Sequence, residues 1–332
     1  MSSIQVGLIG SGPMGRDLAN GLAEVERARL VAVCDARQES ADKLADDLGV
    51  EAAGSIDEML ERDDIDAVMV ATPPFTHCDI AIASAKAGKH LFVEKPMAVT
   101  VGDCDAMSRA VRDAGVHLAI GLVCRYYAVH CKVREMVHAG KIGRPVFMQV
   151  HRTSGPWGES QVVPWRLRRA QSGGSLMEIN AHEIDFMRSV CGEVASVSAA
   201  GGIYLQTEGD YPDLAAVTLN FESGAVGFLH SSHVTAVGGC GGQIDGTEGS
   251  IRYPLLFGEL DTIEARDWNG PIEIGLDDRE IEDAVVAELA AWIDAVIEDR
   301  DAPVGAVDGR AAVAIAEAAY RSIESGRPEE PE

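Results

Sequence analysis

Residues 4–15 read IQVGLIGSGPMG, and this stretch decides the fold of the first part of the chain. Six residues typical of a β-strand lead directly to Gly10, Gly12 and Gly15, and a helical pattern follows. A Gly-x-Gly-x-x-Gly run is a weak signal by itself, but a strand before it and a helix after it predict a dinucleotide-binding turn. In that turn Gly10 allows the tight bend, Gly12 the close approach of a pyrophosphate, and Gly15 the packing of helix against strand.

A pyrophosphate at this turn is expected at the N-terminus of the helix, where free backbone N–H groups and the helix dipole favour an anion. Pro13 and Met14 lie at the start of that helix and are candidate cofactor contacts. The alternative is a glycine-rich turn that binds no ligand.

Short apolar strands alternate with helical stretches through about the first 120 residues. Residues 67–71 are continuously apolar, as expected of a parallel strand that is buried on both faces. The alternation predicts an α/β fold with a doubly wound parallel sheet, in a Rossmann domain over residues 1–123.

The second strand ends in Asp35, twenty residues after Gly15. An acid at this distance accepts a hydrogen bond from the ribose 2′-hydroxyl of NAD and repels the 2′-phosphate of NADP. We therefore expect NAD rather than NADP. Arg37 argues the other way, because a nearby arginine can pair with a 2′-phosphate.

A later strand runs into Thr72 and Pro73, and His77 begins the next helix. Ligands of open α/β sheets bind beyond the carboxyl ends of the strands, so Thr72 and Pro73 should line the cofactor site. His77 is a further candidate contact, and a helix-start histidine without a ligand is the alternative.

The segment FVEKP, residues 92–96, follows another apolar strand. The chain has six lysines against 22 arginines, so a lysine held between an acid and a proline calls for an explanation. Pro96 restricts the backbone of Lys95 to an extended conformation. We expect Glu94 and Lys95 to lie near the reactive end of the dinucleotide. The alternative is a strand-end lysine in solvent.

After residue 143 the pattern changes to strands punctuated by glycine. It predicts a second, α/β domain over residues 124–280, with a large, mostly antiparallel open sheet interrupted by one helix over residues 175–191. Residues 281–325 are predicted to form helices that pack back onto one or both domains, and residues 326–332 a disordered tail.

Glu178, His182 and Asp185 fall at i, i+4 and i+7 of the helix expected over residues 175–191, and so share one face. A carboxylate one turn away can hold the imidazole in one tautomer and make it a better base, as alcohol oxidation requires. In the alternatives, Ser175 and Glu178 form a capping box, or the histidine is simply packed. The sequence offers no further ligand cluster, so a metal site is not expected.

Trp165 and Arg166 precede a glycine pair, and Arg125 follows the strand that ends near residue 122. An indole and a guanidinium group can stack on and hydrogen-bond a polyhydroxylated substrate. The alternative is a basic turn exposed to solvent.

Together these motifs resemble the glucose–fructose oxidoreductase, inositol dehydrogenase and rhizopine-catabolism (Gfo/Idh/MocA) family over nearly the whole chain. The resemblance rests on GLIGSGPMG, ATPPFTH, EKPMA, KIGRPV, PWR, SGGSLMEINAHEID, GTEGS and DGRAAVAIAEAAYRS. It implies an NAD(P)-dependent dehydrogenase that transfers a hydride between a nicotinamide cofactor and a hydroxyl carbon of a sugar, inositol or related polyol. It also implies a homodimer or homotetramer through the open sheet.

By the same resemblance Lys95, His182 and Glu178 are the catalytic residues. Lys95 orients the substrate, and His182 takes the hydroxyl proton while Glu178 or Asp185 orients the imidazole. Glu178 stands where the family usually has aspartate. Asn180 stands where the family often has a small residue, so Asn180 and Asp185 are candidate substrate contacts.

Three other functions stay open: an NAD-dependent redox-neutral glycosidase, a reductase of a non-sugar substrate, and a cofactor-binding sensor without turnover. A sensor would need neither Lys95 nor His182, so their joint presence argues against it.

The net charge of −25 argues against a nucleic-acid partner, because phosphate backbones require a basic surface. No apolar run approaches the ~18 residues of a membrane span, and no leader precedes the first strand, so we expect a cytoplasmic protein away from membranes. Seven scattered cysteines are expected to be reduced. Many acids with few lysines suggest a halophilic protein, and the alternative is an ordinary acidic protein from an arginine-favouring genome.

We expect the melting temperature to be higher in molar KCl than in dilute buffer, because salt screens the repulsion among the 53 acidic residues. Circular dichroism melts in the two solutions provide the measurement. Equal melting temperatures would remove the halophilic interpretation.

Overall fold

The computed structural model describes residues 3–158, 162–254, 260–275 and 283–332. The chain divides into two compact units, one from Met1–Leu122 and Glu282–Arg310 and the other from Val123–Ile281 and Ala311–Glu332. Each unit is built around one sheet. No helix in the described ranges is long and apolar enough to cross a membrane.

The strands are, in chain order, β1 (Ile4–Ile9), β2 (Ala28–Cys34), β3 (Glu51–Ala52), β4 (Ala67–Val70), β5 (His90–Glu94), β6 (Leu118–Gly121), β7 (Pro145–Thr153), β8 (Val194–Gly202), β9 (Leu214–Phe221), β10 (Val226–Ser232), β11 (Gly239–Gly246), β12 (Gly249–Tyr253) and β13 (Glu264–Asp267). The α-helices are α1 (Pro13–Ala23), α2 (Gln38–Leu48), α3 (Ile56–Leu60), α4 (His77–Lys86), α5 (Val101–Ala114), α6 (Ala128–His138), α7 (Arg169–Ser172), α8 (Ser175–Glu178), α9 (Ala181–Cys191), α10 (Ala284–Ile297) and α11 (Ala306–Ser325).

The first sheet is parallel throughout and has the strand order β3-β2-β1-β4-β5-β6. This order confirms the doubly wound fold. The order in which successive strands are added reverses between β1 and β4, although the strands stay parallel. Ligands of such sheets bind at this point, beyond the carboxyl ends of the strands. The segments that follow β1, β2, β4 and β5 are those in which the sequence places its cofactor candidates.

Helix α10 belongs to the first unit and packs on α1. A Cβ on Gly21 of α1 would lie 2.7 Å from a methyl group of Val285, so the absence of a side chain lets the two helices approach closely. Trp292 of α10 is 1% exposed, and its ring lies 5.6 Å from that of Phe92 in β5. The late segment thus completes the core of the first unit.

The second sheet has the order β13-β12-β11-β7-β10-β9-β8 and is antiparallel except at β7 and β10. This confirms the mostly antiparallel sheet. The parallel pair places Arg152 of β7 opposite Ser231 of β10. Helix α9 packs on these two strands, and Met187 of α9 lies against Gly227.

Two helical predictions for the second unit were incomplete. Helix α6 was missed, although Val129, Val133 and Met136 form its buried face. The helix expected over residues 175–191 is broken into α8 and α9, and Asn180 stands at the N-terminus of α9. The i, i+4, i+7 argument across residues 178–185 therefore does not hold as stated.

The last residues are paired rather than free, which corrects the expectation of a disordered tail over residues 326–332. Val197 of β8 donates to the Glu329 carbonyl at 2.8 Å, and the Glu329 N–H donates back at 2.9 Å. The Ser322 hydroxyl donates to the Arg327 carbonyl at 2.6 Å. The tail thus forms a bridge along the edge strand of the second sheet.

Removal of residues 327–332 should lower the free energy of unfolding by ~1–3 kcal/mol, because about three hydrogen bonds are lost. Urea unfolding of the truncated and full chains measures the difference. Glu329→Ala is the matched control, since it removes a side chain but keeps both backbone bonds. Equal stability of the truncated and full chains would contradict this role of the tail.

Candidate active site

The glycine turn between β1 and α1 is closed toward the sheet and open toward solvent. Gly10 has a φ of 105°, and a Cβ there would strike the carbonyl group of Ala71. A Cβ on Gly15 would overlap the Gly10 carbonyl oxygen, whereas one on Gly12 would meet nothing within 4 Å. Helix α1 begins immediately afterwards with Pro13. This shape fits a dinucleotide pyrophosphate bound at the helix N-terminus.

Asp35, at the end of β2, is held by the glycine turn itself. Its Oδ2 accepts hydrogen bonds from the backbone and the hydroxyl of Ser11, both at 2.8 Å, and its Oδ1 accepts one from the backbone of Arg37 at 2.9 Å. Burial opposes ionisation, but these hydrogen bonds and the Arg37 charge outweigh it, and the pKa of Asp35 is lowered. The side chain is thus a fixed carboxylate, suited to accept from ribose hydroxyls.

Two exposed apolar side chains lie in the segments that carry these candidates. Met14, in the first turn of α1, is 41% exposed, and Phe75, in the turn after β4, is 42% exposed. Large apolar side chains of this kind are suited to contact the rings of a cofactor. Phe75 was missed in the sequence, because nothing distinguishes a loop phenylalanine from a core phenylalanine.

His77 is buried, which corrects the expectation that it contacts the cofactor. Its ring nitrogens lie 3.0 Å from the Pro96 carbonyl oxygen and 2.8 Å from the Thr72 carbonyl oxygen, and the side chain has no exposed surface. Burial lowers the pKa of His77. The imidazole therefore ties the segment after β4, which contains Thr72 and Pro73, to the segment after β5.

Glu94 and Lys95 stand at the end of β5. The Lys95 backbone N–H donates to Glu94 Oε2 at 3.1 Å. Burial raises the pKa of Glu94 to about 7, against the opposing charge of Lys95. A Cβ on Gly121 of β6 would come within about 3.0 Å of the Glu94 carboxyl group, so this glycine makes room for it.

Glu288 of α10 is a second buried acid of the same unit. It is 3% exposed, and neither of its carboxyl oxygens has a hydrogen-bond partner among the described residues. Burial, with a contribution from the charge of Glu94, raises the pKa of Glu288 well above its ordinary value. This coupling could not be predicted from the sequence, because the two acids are almost 200 positions apart.

In the second unit, Glu178 is bound by Arg166. The guanidinium Nε and Nη2 donate to Glu178 Oε1 at 3.0 and 2.7 Å, and the Glu178 side chain is 7% exposed. The capping-box alternative is wrong, because Gly174 precedes α8 and no side chain caps the helix. Ser175 instead donates to the Pro212 carbonyl at 3.1 Å.

Arg166 also lies between two indole rings. Its guanidinium carbon is 5.5 Å from the ring centre of Trp157 and 5.3 Å from that of Trp165. The hydroxyl of Tyr211 donates to the Arg166 carbonyl at 2.8 Å. The predicted combination of indole and guanidinium therefore exists, with Glu178 as its carboxylate.

His233, just after β10, joins this group and was missed in the sequence. Its Nδ1 lies 3.0 Å from the Ser154 hydroxyl, and its ring meets the edge of Trp157 at 5.5 Å. Burial lowers the pKa of His233, outweighing the opposite effect of the Glu178 charge. The sequence around His233 carries no signal of this group, since the neighbours of its ring come from separate segments.

Asp185 is held by Arg125, so two of the residues proposed from the sequence as substrate contacts lie side by side. Arg125 Nε and Nη2 donate to the two carboxylate oxygens at 2.5 and 2.6 Å. A bidentate pair of this kind has a fixed orientation. The Asp185 side chain is 2% exposed.

His182 stands in the first turn of α9 and is 8% exposed. Asn180, two residues before it, has no exposed surface, and its amide bonds to Ser231 and Glu183. This corrects the expectation that Asn180 contacts substrate. No group of three or more histidine, cysteine or acidic side chains in the described part of the chain could hold a metal ion.

The two units therefore carry a dinucleotide-binding sheet edge and an arginine–carboxylate group beside a histidine, a combination that defines an oxidoreductase of the nicotinamide-dependent class. Residues 4–122 match the model of the oxidoreductase family with an NAD-binding Rossmann fold, and residues 130–252 match the Gfo/Idh/MocA C-terminal domain. The chain belongs to the Gfo/Idh/MocA family.

Similar proteins include a myo-inositol 2-dehydrogenase of Thermotoga maritima, 31% identical over 98% of this chain and 97% of that protein. An NAD⁺-dependent scyllo-inositol 2-dehydrogenase of Bacillus subtilis is 29% identical over 98% of this chain and 95% of its own length. The crystal structure of a putative myo-inositol dehydrogenase from Sinorhizobium meliloti has a TM-score of 0.83 and 26% identity, covering 99% of this chain and 100% of that one. These matches confirm the family predicted from the motifs.

Glu288→Gln should reduce the loss of stability with rising pH. A folded-state pKa above the unfolded one means that stability is present at low pH and is lost as the pH rises above about 4.5. Each carboxyl that keeps its proton only in the folded state lowers the free energy of unfolding by ~1.4 kcal/mol per pH unit. Urea unfolding between pH 5 and pH 8 should therefore show a shallower slope for the variant.

Glu298→Gln is the matched control on the same helix. Glu298 pairs with Arg300 at the surface, and its pKa is lowered, so its substitution should leave that slope unchanged. A Glu288→Gln slope equal to the wild-type slope would contradict a protonated Glu288.

Proposed function

We propose that this protein is an NAD-dependent dehydrogenase that oxidises a hydroxyl carbon of an inositol, a sugar or a related polyol. The observation that carries the proposal is the group formed by Glu178, Arg166 and two indoles. Glu178 stands four residues before His182 in the chain. Stacking rings, a guanidinium and a carboxylate are the groups that recognise a polyhydroxylated ring. The inositol dehydrogenases among the similar proteins support the same substrate class.

The residues of the first unit fit the cofactor. Gly10, Gly12 and Gly15 would hold the pyrophosphate, and Asp35 would accept from the adenosine ribose. NAD is favoured over NADP, because the fixed charge of Asp35 repels a 2′-phosphate. The exposed side chain of Arg37 is the feature that opposes this preference.

The proposed chemistry divides between named side chains. The bound nicotinamide would supply the hydride acceptor. Lys95 donates a hydrogen bond to the reacting hydroxyl oxygen and stabilises the negative charge that develops there. His182 removes the hydroxyl proton as general base while the carbon loses its hydride, so the alcohol becomes a ketone, or a lactone at an anomeric carbon.

The carboxylates would act in binding rather than as bases. Arg166 holds Glu178 and Arg125 holds Asp185, so each acid is fixed as an acceptor of hydroxyl hydrogen bonds. Glu178 would thus bind the substrate and help to orient the imidazole of His182. Asn180 would position the helix instead of touching the substrate.

We further propose a homodimer or homotetramer through the face of the second sheet opposite α9, where Gln149, Val226 and Gln243 are exposed. We also propose a cytoplasmic location and adaptation to high salt, the latter supported by the net charge of −25.

The deciding experiment mixes the protein in high salt with NAD⁺ or NADP⁺ and a panel of inositols, aldoses and sugar acids, and follows reduced nicotinamide by absorbance. We expect reduction of NAD⁺ with at least one member. Substrate cleavage without net cofactor reduction would instead indicate the redox-neutral glycosidase. Cofactor binding without any turnover would support the non-sugar reductase or the sensor.

Lys95→Ala should lower kcat by at least about 100-fold while NAD⁺ affinity stays nearly unchanged, because the ammonium group acts on the reacting oxygen. Steady-state kinetics and calorimetric titration of NAD⁺ measure the two effects. Lys86→Ala, at the exposed end of α4, is the matched control. Turnover of Lys95→Ala close to the wild-type value would overturn the role of Lys95.

A further inference from the structure

Four side chains tie the junction between α8 and α9 to the second sheet. Asn180 and Glu183 lie at the start of α9 and have no exposed surface. Ser231 ends β10 and is 1% exposed, and Arg152 lies near the end of β7. The proposed chemistry uses none of the four. We call them the α9 anchor.

The hydrogen bonds of the α9 anchor connect its four side chains in series. The Ser231 hydroxyl donates to Asn180 Oδ1 at 2.6 Å, and Asn180 Nδ2 donates to Glu183 Oε2 at 3.1 Å. Arg152 Nη1 donates to Glu183 Oε1 at 2.9 Å. A carboxylate accepts only, so the Asn180 amide must turn its nitrogen toward Glu183 and its oxygen toward Ser231. Each partner therefore fixes the orientation of the next.

The Ser231 and Arg152 ends of this hydrogen-bonded series lie on neighbouring strands of one sheet. Ser231 and Arg152 are register partners on the parallel strands β10 and β7, and both face the helix side of the sheet. Asn180 and Glu183 are three positions apart and lie on one face of the first turn of α9. The α9 anchor thus fastens that face of the helix to neighbouring strands at two points.

His182 lies in sequence between the two helical members of the α9 anchor. At 100° per residue it is on a different face of α9 from both. Any rotation or shift of the first turn would therefore move the imidazole.

Because three side chains of the α9 anchor, Asn180, Glu183 and Ser231, are buried, water cannot replace a hydrogen bond that is lost between them. Glu183 carries a carboxylate with no exposed surface, and a buried charge depends on keeping its partners. The Cys240 sulfur, 3.9 Å from Glu183 Oε1, adds a weak donor on β11. The Glu183 carboxylate accordingly ties the helix start to β7 and β11, and the Asn180 amide ties it to β10.

We propose that Ser231, Asn180, Glu183 and Arg152 are positioning residues that set the place of His182 for proton transfer. The inference rests on the proposed function for its kinetic consequence. Its structural consequence, a fixed environment of the His182 imidazole, can be observed without turnover.

The test compares Ser231→Ala with Ser231→Thr, which keeps the hydroxyl, and Glu183→Gln with Glu193→Gln. Glu193 pairs with Arg188 at the opposite end of α9 and is the matched control for loss of an ion pair. Imidazole ¹H–¹⁵N spectra of the cofactor-free protein are recorded for each variant, with His182→Gln to assign the His182 signal. Thermal melts define the temperature range in which every variant is folded.

We expect the His182 signal to shift or broaden in Ser231→Ala and Glu183→Gln and to keep its wild-type position in Ser231→Thr and Glu193→Gln. With a substrate in hand, kcat of the first two should fall by about tenfold or more with little change in KM, because misplacement acts on the chemical step. Ser231→Thr should recover the loss.

An unchanged His182 signal and kcat in folded Ser231→Ala and Glu183→Gln would overturn the positioning role and leave only stability. Should the wild-type protein oxidise no polyol, the proposed function fails, and the imidazole spectra alone decide this inference. Normal wild-type turnover with a wild-type His182 signal in Ser231→Ala would reject the α9 anchor while keeping the proposed function.

Discussion

The bend of the chain between β1 and α1 is the constraint on which the dinucleotide-binding unit depends. Gly10 lies against the carbonyl of Ala71, and Gly15 lies against the carbonyl of Gly10, so side chains at either position would force the strand and helix apart. The approach exposes the N-terminus of α1 at the reversal point of the sheet. Asp35 then bonds to Ser11, which joins the end of β2 to the same turn.

Acidic side chains in this protein are controlled in two different ways. Asp35, Glu178, Glu183 and Asp185 have N–H, hydroxyl or guanidinium donors facing their carboxyl oxygens. Few hydrogen-bond donors face Glu94 and Glu288. Burial raises the pKa of both carboxyl groups and so favours their protonated, uncharged form. The buried acids named here therefore either face donors or have a raised pKa.

Features that depend on contacts between nearby residues could be predicted from the sequence, and features that depend on distant contacts could not. The glycine turn was predicted because it depends on residues within a few positions of one another. His77 was misjudged because its partners are carbonyl groups, which every residue carries. The helix break before Asn180 was missed because Ser231, which donates to the Asn180 side chain, lies 51 positions away in the chain.

The sequence by itself determined the parallel sheet, its glycine turn, the acid at the end of β2, the family and the residue types available for chemistry. These features depend on residues that are close together in the sequence, because strand and helix periodicity and glycine conformation are local properties. Only the tertiary structure decided which carboxylate meets which arginine, that the tail pairs with β8, and that Asn180 belongs to an anchor under His182. Those outcomes depend on contacts between segments far apart in the chain, and burial and strand register, not spacing, select their partners.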